Sequence, residues 1–549
     1  MTASFNQTLV PLSVSLVGDG AGVVRTNDGE IVCPPDCSHS YPQGTSVSLS
    51  ATAEASASYF EGWSGACAGS AGCSVTLDGT TSVTATLLRT RVNVSLTGAG
   101  TGRVTMMPGN LDCTASCSFP VANNANIEFT MHPEGYDRFV GWSGACSGTG
   151  DRCRVRAQRT LSISAELRHP RPPVATYAEA TLVLGQPNME TAGANTGGLS
   201  ASSLNGPRGC ATDGTHLWVA DASNSRVLQW NSEPTTNHQP ADVILGQIAD
   251  DVGTAHTSIA GLANPAGLSV APDGALLVAD TANSRIVRWN EPPTANGQDA
   301  NAIIGNSSAD TLVSGTAQNR LFRPFALTFA GARMIVADAG NNRVSIFGST
   351  PTVTGFASAQ DVLGQISFEA QTRYMYDPLN PTVPPPNAGT ISDPFGVFYD
   401  SVGDRLYVAD TGNHRVLVWN GIPATTRGTL TPADIILGQP NATSIEPNRG
   451  RPWSELDGTR MRSPRTALVA HGSLFVADAG NVRILVWTPP PTDAEQHPTR
   501  VLGQSSEYVK VMPSPSSRSF NPWGLCATDD FLYVIDGDQH RVLRFDLDP

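Results

Sequence analysis

Six aspartates in the C-terminal part of this chain are each followed, five residues later, by an arginine. The pairs are Asp221 and Arg226, Asp280 and Arg285, Asp338 and Arg343, Asp410 and Arg415, Asp478 and Arg483, and Asp536 and Arg541. A carboxylate beside a guanidinium can hold an anion or move a proton, so six such pairs invite a catalytic reading. Their regularity argues against it. Catalytic groups break a repeat's symmetry, whereas a group present in every copy serves the copy itself. Here it fixes a tight turn, with Asp accepting backbone N–H groups and Arg pairing with a carboxylate or carbonyl. Two histidines do break the symmetry. His414 and His540 occupy the same turn position in the fourth and sixth copies, where the others carry Ser, Asn or Val. Two copies apart, they could flank a calcium or zinc ion on a central axis, the cofactor that metal-assisted chemistry would need. N-H-R-V is also an ordinary variant of the turn. The chain has no G-x-S-x-G, no H-E-x-x-H and no phosphate loop.

The turns recur because the sequence around them recurs. VADTANSRIVRW at Val278 to Trp289 and VADTGNHRVLVW at Val408 to Trp419 are two of six such stretches. Each is a hydrophobic strand ending in Asp, a turn, and an Arg-led strand ending in an aromatic: Trp230, Trp289, Phe347, Trp419, Trp487 or Phe545. A strand opening with Pro precedes each stretch, as at Pro207, Pro265 and Pro324, and an L-G-Q type strand such as Ile435 to Gln439 also recurs six times. Four short strands per unit, repeated, predict a propeller, with the aromatics packing between blades. Through P-x-G, V-A-D and N-x-R-V the pattern resembles the NHL-repeat family, which implies a six-bladed β-propeller over 177–549. The first L-G-Q strand precedes the first Pro-led strand and the sixth unit lacks one, so Thr181 to Gln186 is expected to complete the last blade. Cys210 and Cys526 lie at similar places in the first and sixth units. Inner strands of neighbouring blades are expected to be too far apart for a bridge, which leaves two buried free thiols.

Binding is expected where the repeats differ, in the long unequal loops that follow the L-G-Q strands. Ile366 to Ser392 contains Arg373, Tyr374, Tyr376 and Asp377; Pro440 to Met461 contains Arg451 and Trp453; Ser505 to Ser519 contains Tyr508. Tyr, Trp and Arg are the usual anchors of binding surfaces. The competing reading is that these aromatics fold back over the ring as a lid.

Ahead of the propeller, Gly18-Asp-Gly and Gly98-Ala-Gly, and then Phe60-Glu-Gly-Trp-Ser-Gly-Ala-Cys67 and Phe139-Val-Gly-Trp-Ser-Gly-Ala-Cys146, mark a tandem repeat. Alternation in Thr81-Ser-Val-Thr-Ala-Thr-Leu and its counterparts predicts half-buried strands. Two β-modules, 10–88 and 89–168, are followed by a Pro-rich linker, 169–176. Each module has four cysteines: Cys33, Cys37, Cys67 and Cys73, then Cys113, Cys117, Cys146 and Cys153. The C-x3-C, C-x5-C and C-x6-C spacings, without paired His, fit zinc poorly and fit disulfides in an oxidising compartment. Four cysteines allow three pairings, of which local bridges are expected. The G-x-G start, the C-x3-C turn and F-x-G-W-S-G-A-C resemble the bacterial surface repeats of the internalin B-repeat kind, which implies extracellular stalk modules. Trp63 and Trp142 are expected to be core anchors rather than sugar platforms.

The chain has 549 residues, 53 Gly, 40 Pro and a net charge of -14. About -3 of that charge falls before Arg171 and about -11 after it, which argues against nucleic acid or an anionic membrane surface as partner. No apolar run reaches roughly 18 residues, so no transmembrane segment is expected. The N-terminus lacks the charged and apolar regions of a signal peptide. The combined expectation is an all-β, exported bacterial surface or periplasmic protein, with two disulfide-linked modules as stalk and a propeller face that binds a protein or glycan. It is expected to be a binder rather than an enzyme. A metal-dependent hydrolase or lyase in the propeller, and a structural subunit of a larger surface assembly, are the alternatives.

Overall fold

The computed structural model describes residues 7–54, 57–109, 111–169, 173–306, 308, 313–355, 357–374, 385–425, 428–512 and 514–547. The described chain is all-β apart from short turns of 3-10 helix, and it divides into two compact units, Met1–His169 and Pro170–Pro549. No helix is long and apolar enough to cross a membrane.

Alternation builds the first unit. Strand Thr81–Arg89 buries Val83, Ala85 and Leu87, while the Ser and Thr residues between them face outward. Four four-stranded sheets result. Two of them contain a parallel pair: Leu9–Val17 beside Thr81–Arg89, and Arg91–Gly98 beside Leu161–Arg168. The apolar side chains gather in two separate clusters, one from Val10 to Ala85 and one from Val92 to Leu167. Trp63 and Trp142 sit in these clusters, and each indole N–H donates to a carbonyl 3.0 Å away, of Ala71 and Gly150 respectively. Buried and hydrogen-bonded, they are core anchors and offer no face to a sugar. The bridges are local: Cys33–Cys37, Cys67–Cys73, Cys113–Cys117 and Cys146–Cys153.

The second unit consists of six four-stranded antiparallel sheets. In the fourth, the strands in order are Pro394–Asp400, Arg405–Asp410, Arg415–Asn420 and Ile435–Leu437. The V-A-D and Arg-led strands are buried on both faces, as in Leu276–Asp280 and Arg285–Trp289, and apart from their charged residues they read as apolar runs rather than alternating ones. The last sheet takes its outer strand from the other end of the unit: Leu182–Leu184 pairs with Arg541–Asp546, Val183 opposite Leu543. The inner strands touch their neighbours in chain order, and Pro522–Ala527 also touches Cys210–Thr212, so the sixth sheet meets the first.

The inner strands approach closely because glycine stands where they meet. A Cβ on Gly524 would lie 2.5 Å from the Arg208 carbonyl, and one on Gly209 would lie 2.4 Å from that of Ala266. This corrects the expectation for Cys210 and Cys526. Their Cα atoms are 5.7 Å apart and the two are joined as a disulfide. At the seam between the first and sixth sheets, the bare Gly524 lets its strand lie against Arg208 and Gly209, which brings the two cysteines within bridging reach.

Candidate functional site at the loop-bearing face

Each V-A-D strand runs into one turn of 3-10 helix that ends in a left-handed residue, as in Thr411–Asn413 followed by His414 at φ 57°. Asp410 Oδ1 accepts the Ser392 N–H at 2.7 Å, and Oδ2 accepts from Arg415 Nε at 2.7 Å and Asn413 Nδ2 at 2.9 Å. Arg415 then reaches both ways. It donates to the carbonyls of Asn387 and Thr390, in the loop entering its sheet, and to that of Ala442, in the loop leaving it. Arg541 does the same with Ser516 and Ser519 on one side and Met189 on the other, which ties the last sheet to the segment after the first L-G-Q strand. All six Asp–Arg pairs are fully buried. Burial pushes the Asp410 carboxyl above the ordinary range, opposed by Arg415 and Asn413. These pairs are spent on holding loops and have no edge free for a ligand.

The L-G-Q glutamines have a role that the sequence did not disclose. Gln186, Gln247, Gln365, Gln439 and Gln504 each donate Nε2 to a carbonyl seven residues on, of Gly193, Thr254, Thr372, Glu446 and Val511. Five of the long loops are therefore pinned near their start by glutamine, and Asn306 stands at that place in the remaining one, accepting the Val313 N–H at 3.2 Å.

His414 and His540 are used differently from the metal-ligand expectation. His414 Nδ1 accepts the Ser463 N–H at 3.0 Å, and His540 Nδ1 accepts the Gly206 N–H at 2.9 Å. Each ring latches its turn to the loop entering the next sheet. The lone pair a metal would need is engaged on Nδ1, and the neutral ring then carries its proton on Nε2. Asn342 and Ser284 latch in the same way to the amides of Asp393 and Arg323. Among the described residues, no group of three or more His, Cys, Asp or Glu is placed to hold a metal. At the fifth turn, Asn521, directly before Pro522, gives its N–H to Asp536 instead. No such amide remains to be latched, and Val482 stands there.

Burial, reinforced by Arg462, pulls the His414 imidazole down to about 4. The unfolded chain therefore binds this proton first as pH falls. The latch's contribution is complete above about 6.5 and is lost as pH drops toward 4, by up to about 3 kcal/mol. Asn is the natural latch at this position of the third sheet, so His414→Asn is expected to flatten the stability of the second unit across that window. Urea unfolding of the full chain at several pH values reads it, and an unchanged slope would contradict the assignment.

The loop residues expected to bind divide into several groups. Tyr374 is buried, and the Arg373 guanidinium is paired with Asp393, so this part of the loop folds back. Tyr376 and Asp377 lie outside the described residues. Arg451 forms an exposed pair with Glu455 at 3.3 Å, a contact of little energetic weight. Trp453 and Tyr508 are exposed, and Lys510 holds its ammonium 3.8 Å above the Trp453 ring while donating to the Gly480 carbonyl. Lys510 thereby joins two neighbouring loops.

A second set of residues was missed. The residue after each inner-strand proline is Arg208, Ala266, Phe325, Phe395, Arg465 or Trp523. In four sheets a β-bulge falls there: the ladder skips Phe325, Phe395, Trp523, and Arg465 with Thr466. Bulges re-aim side chains, and these line a cavity of about 270 Å³ running between the inner strands. The prolines pair with the V-A-D aspartates, so this end of the channel opens on the side of the turns and long loops. The inner strands of the six repeats differ at this position, but they differ at the following positions too, so the sequence alone does not single it out.

Family models match one segment in each part of the chain. Residues 21–89 match the divergent InlB B-repeat domain, and residues 262–289 match the NHL repeat. The NHL segment spans the second sheet from its entering loop through Asp280 and Arg285 to Trp289. The InlB B-repeat segment encloses the bridges Cys33–Cys37 and Cys67–Cys73. No curated protein matches the chain in sequence. Similar solved structures include virginiamycin B lyase from Staphylococcus aureus, at 14% identity and TM-score 0.31 over 63% of this chain and 96% of that one. A nidogen/laminin complex is similar at 13% identity and TM-score 0.32, over 60% and 89%. A streptogramin B lyase is similar at 12% and 0.31, over 64% and 96%. Five disulfides together with an InlB B-repeat suggest an extracellular or secreted protein.

Proposed function

We propose that residues 177–549 form a six-bladed NHL-type β-propeller whose loop-bearing face binds a protein or glycan partner, at the cell surface or in the periplasm. Residues 10–88 and 89–168 are two β-modules serving as a stalk, and 169–176 is the linker between stalk and propeller. The observation that carries this reading is the group of exposed apolar side chains on two neighbouring loops of that face. Trp453 is 51% exposed, Tyr508 60%, Val511 62% and Met512 67%. Exposed apolar side chains grouped on loops of one face mark interaction surfaces, and Trp and Tyr supply most of the energy when they are covered. The same loops are pinned by buried Arg and Gln, as where Gln504 donates to the Val511 carbonyl and Arg483 to that of Glu507, so these side chains are presented on a rigid frame.

Affinity capture with the full chain from the cell-envelope fraction of the producing bacterium tests the reading. Wild-type protein is expected to retain a partner that the double variant Trp453→Ala, Tyr508→Ala releases, a loss of about 2 kcal/mol or more per anchor. A partner held equally well by both chains would place binding elsewhere.

A further inference from the structure

The channel mouth contains two arginines that stand in no ion pair among the described residues. The six buried Asp–Arg pairs show how this chain treats an interior guanidinium: each has a carboxylate and several carbonyls. Arg208 and Arg465, on the first and fifth inner strands, have no carboxylate within ion-pairing distance among the described residues, and Arg465 Nη1 is buried without a hydrogen-bond partner. The chain carries 48 acidic residues against 34 basic ones, so the missing counter-charge does not reflect a shortage of acids. Leaving half-buried guanidinium groups without a counter-charge costs stability, and that cost is commonly tolerated at sites that bind.

The surroundings pre-organise the two side chains. Arg465 places its guanidinium carbon 3.1 Å from the centre of the Trp523 ring, and Arg208 lies 5.6 Å from the same ring and 5.5 Å from that of Phe325. A guanidinium stacked on an aromatic face keeps its in-plane N–H donors free at the edge. Asp538 is the nearest acid, and it is occupied: its oxygens accept from Asn521 Nδ2 at 2.5 Å and Trp523 Nε1 at 3.0 Å. It holds the indole in place beneath the guanidinium. Burial, set against attraction from Asp538 and repulsion from Arg208, pulls Arg465 down to about 10, and burial with repulsion from Arg323 lowers Arg208. An anion arriving between them would relieve both effects. Phe325, Phe395 and Ala266 complete the ring with apolar surface, which keeps the local dielectric low and strengthens a charge-assisted bond formed there.

We propose that this mouth is a seat for a carboxylate, gripped by the forked donors of Arg208 and Arg465 against the ring of Trp523. The carboxylate comes either from a small free acid or from an acidic side chain of a peptide segment. In the second case the seat deepens, and rests on, the reading of the loop-bearing face as a partner-binding surface. The planar fork of arginine matches a carboxylate in two parallel hydrogen bonds, and the narrow apolar mouth admits one such group more readily than a chain of sulfated or phosphorylated units.

Isothermal titration of the full chain with citrate, with a blocked Asp-Glu-Glu peptide and with inorganic sulfate tests the seat. Saturable binding of citrate or of the peptide, at one site per chain and accompanied by a change in tryptophan fluorescence, is expected. Citrate binding the tighter points to a free acid and the peptide binding the tighter to an acidic segment, and either supports the seat. Arg208→Gln and Arg465→Gln are each expected to weaken it about tenfold or more while thermal unfolding stays within a few degrees of wild type. Three results would overturn the seat: no saturable binding of any probe, affinity unchanged in both variants, or sulfate bound as tightly as the carboxylates. The titrations use small probes, so they read the seat whether or not envelope capture finds a partner. Failed capture with intact titration sinks only the reading of the face.

Discussion

Asp410→Ala is expected to destabilise the second unit by about 3–5 kcal/mol, enough to remove much of the stability of an ordinary domain. The cost does not come from a strong ion pair in isolation. It comes from what the substitution leaves behind: a fully buried Arg415 with no counter-charge, and a Ser392 N–H that loses its acceptor at 2.7 Å. The damage should spread further, because Arg415 is held in place by Asp410 and in turn ties Asn387, Thr390 and Ala442, three points on two loops. Urea unfolding of the full chain, followed by tryptophan fluorescence, reads the loss. Replacing Asp410 and Arg415 together by apolar residues is expected to cost less than the single change, since no orphaned charge remains. A single variant with a midpoint near that of wild type would show that the pair does not organise the turn.

Replacing both Cys210 and Cys526 by alanine is expected to cost about 5 kcal/mol in the loop-entropy account, because their bridge closes a segment with a sequence separation of 316. None of the other four bridges spans more than 7 residues, so reduction should affect the two units unequally. In the second unit the seam between first and sixth sheets is held at the inner side by this bridge and at the outer side by Leu182–Leu184 on Arg541–Asp546. The double variant is therefore expected to fold, and to exchange amide hydrogens fastest along that seam. Uniform exchange across the six sheets, with an unchanged unfolding midpoint, would contradict this.

Much of the fold was legible because the backbone forces the residue types. A left-handed turn position, a proline before the inner strand and a buried carboxylate that must meet an N–H recur with every sheet, and so they recur in the sequence. The closing strand was legible by bookkeeping, since one L-G-Q strand came before its sheet and one sheet lacked its own. Other features depended on distances between segments that no spacing reports. The reach between Cys210 and Cys526 depends on the close approach that Gly524 permits at the seam, a separation that cysteine spacing does not report. His414 was singled out correctly as a break in symmetry, but its partner is a backbone amide in the next sheet, which no side-chain pattern reveals. The loops were legible as candidates only. Whether Tyr374 points inward and Trp453 outward depends on packing within segments that have no period. Arg208, Arg465 and Trp523 each follow a proline at the start of an inner strand whose later positions all vary among the repeats, and the bulges that turn Arg465 and Trp523 into the channel leave no mark of their own in the sequence.

The face and its mouth exist as a surface only if the six sheets close into one ring, and the joint between first and last is where that closure can be read most directly. Peptide mapping of the unreduced full chain, purified from its native compartment, by mass spectrometry is the measurement to make. The account predicts a cross-linked peptide joining Cys210 to Cys526, alongside four short-range bridges. Free thiols at both positions in that protein would contradict the closed seam, and with it the site built on the ring.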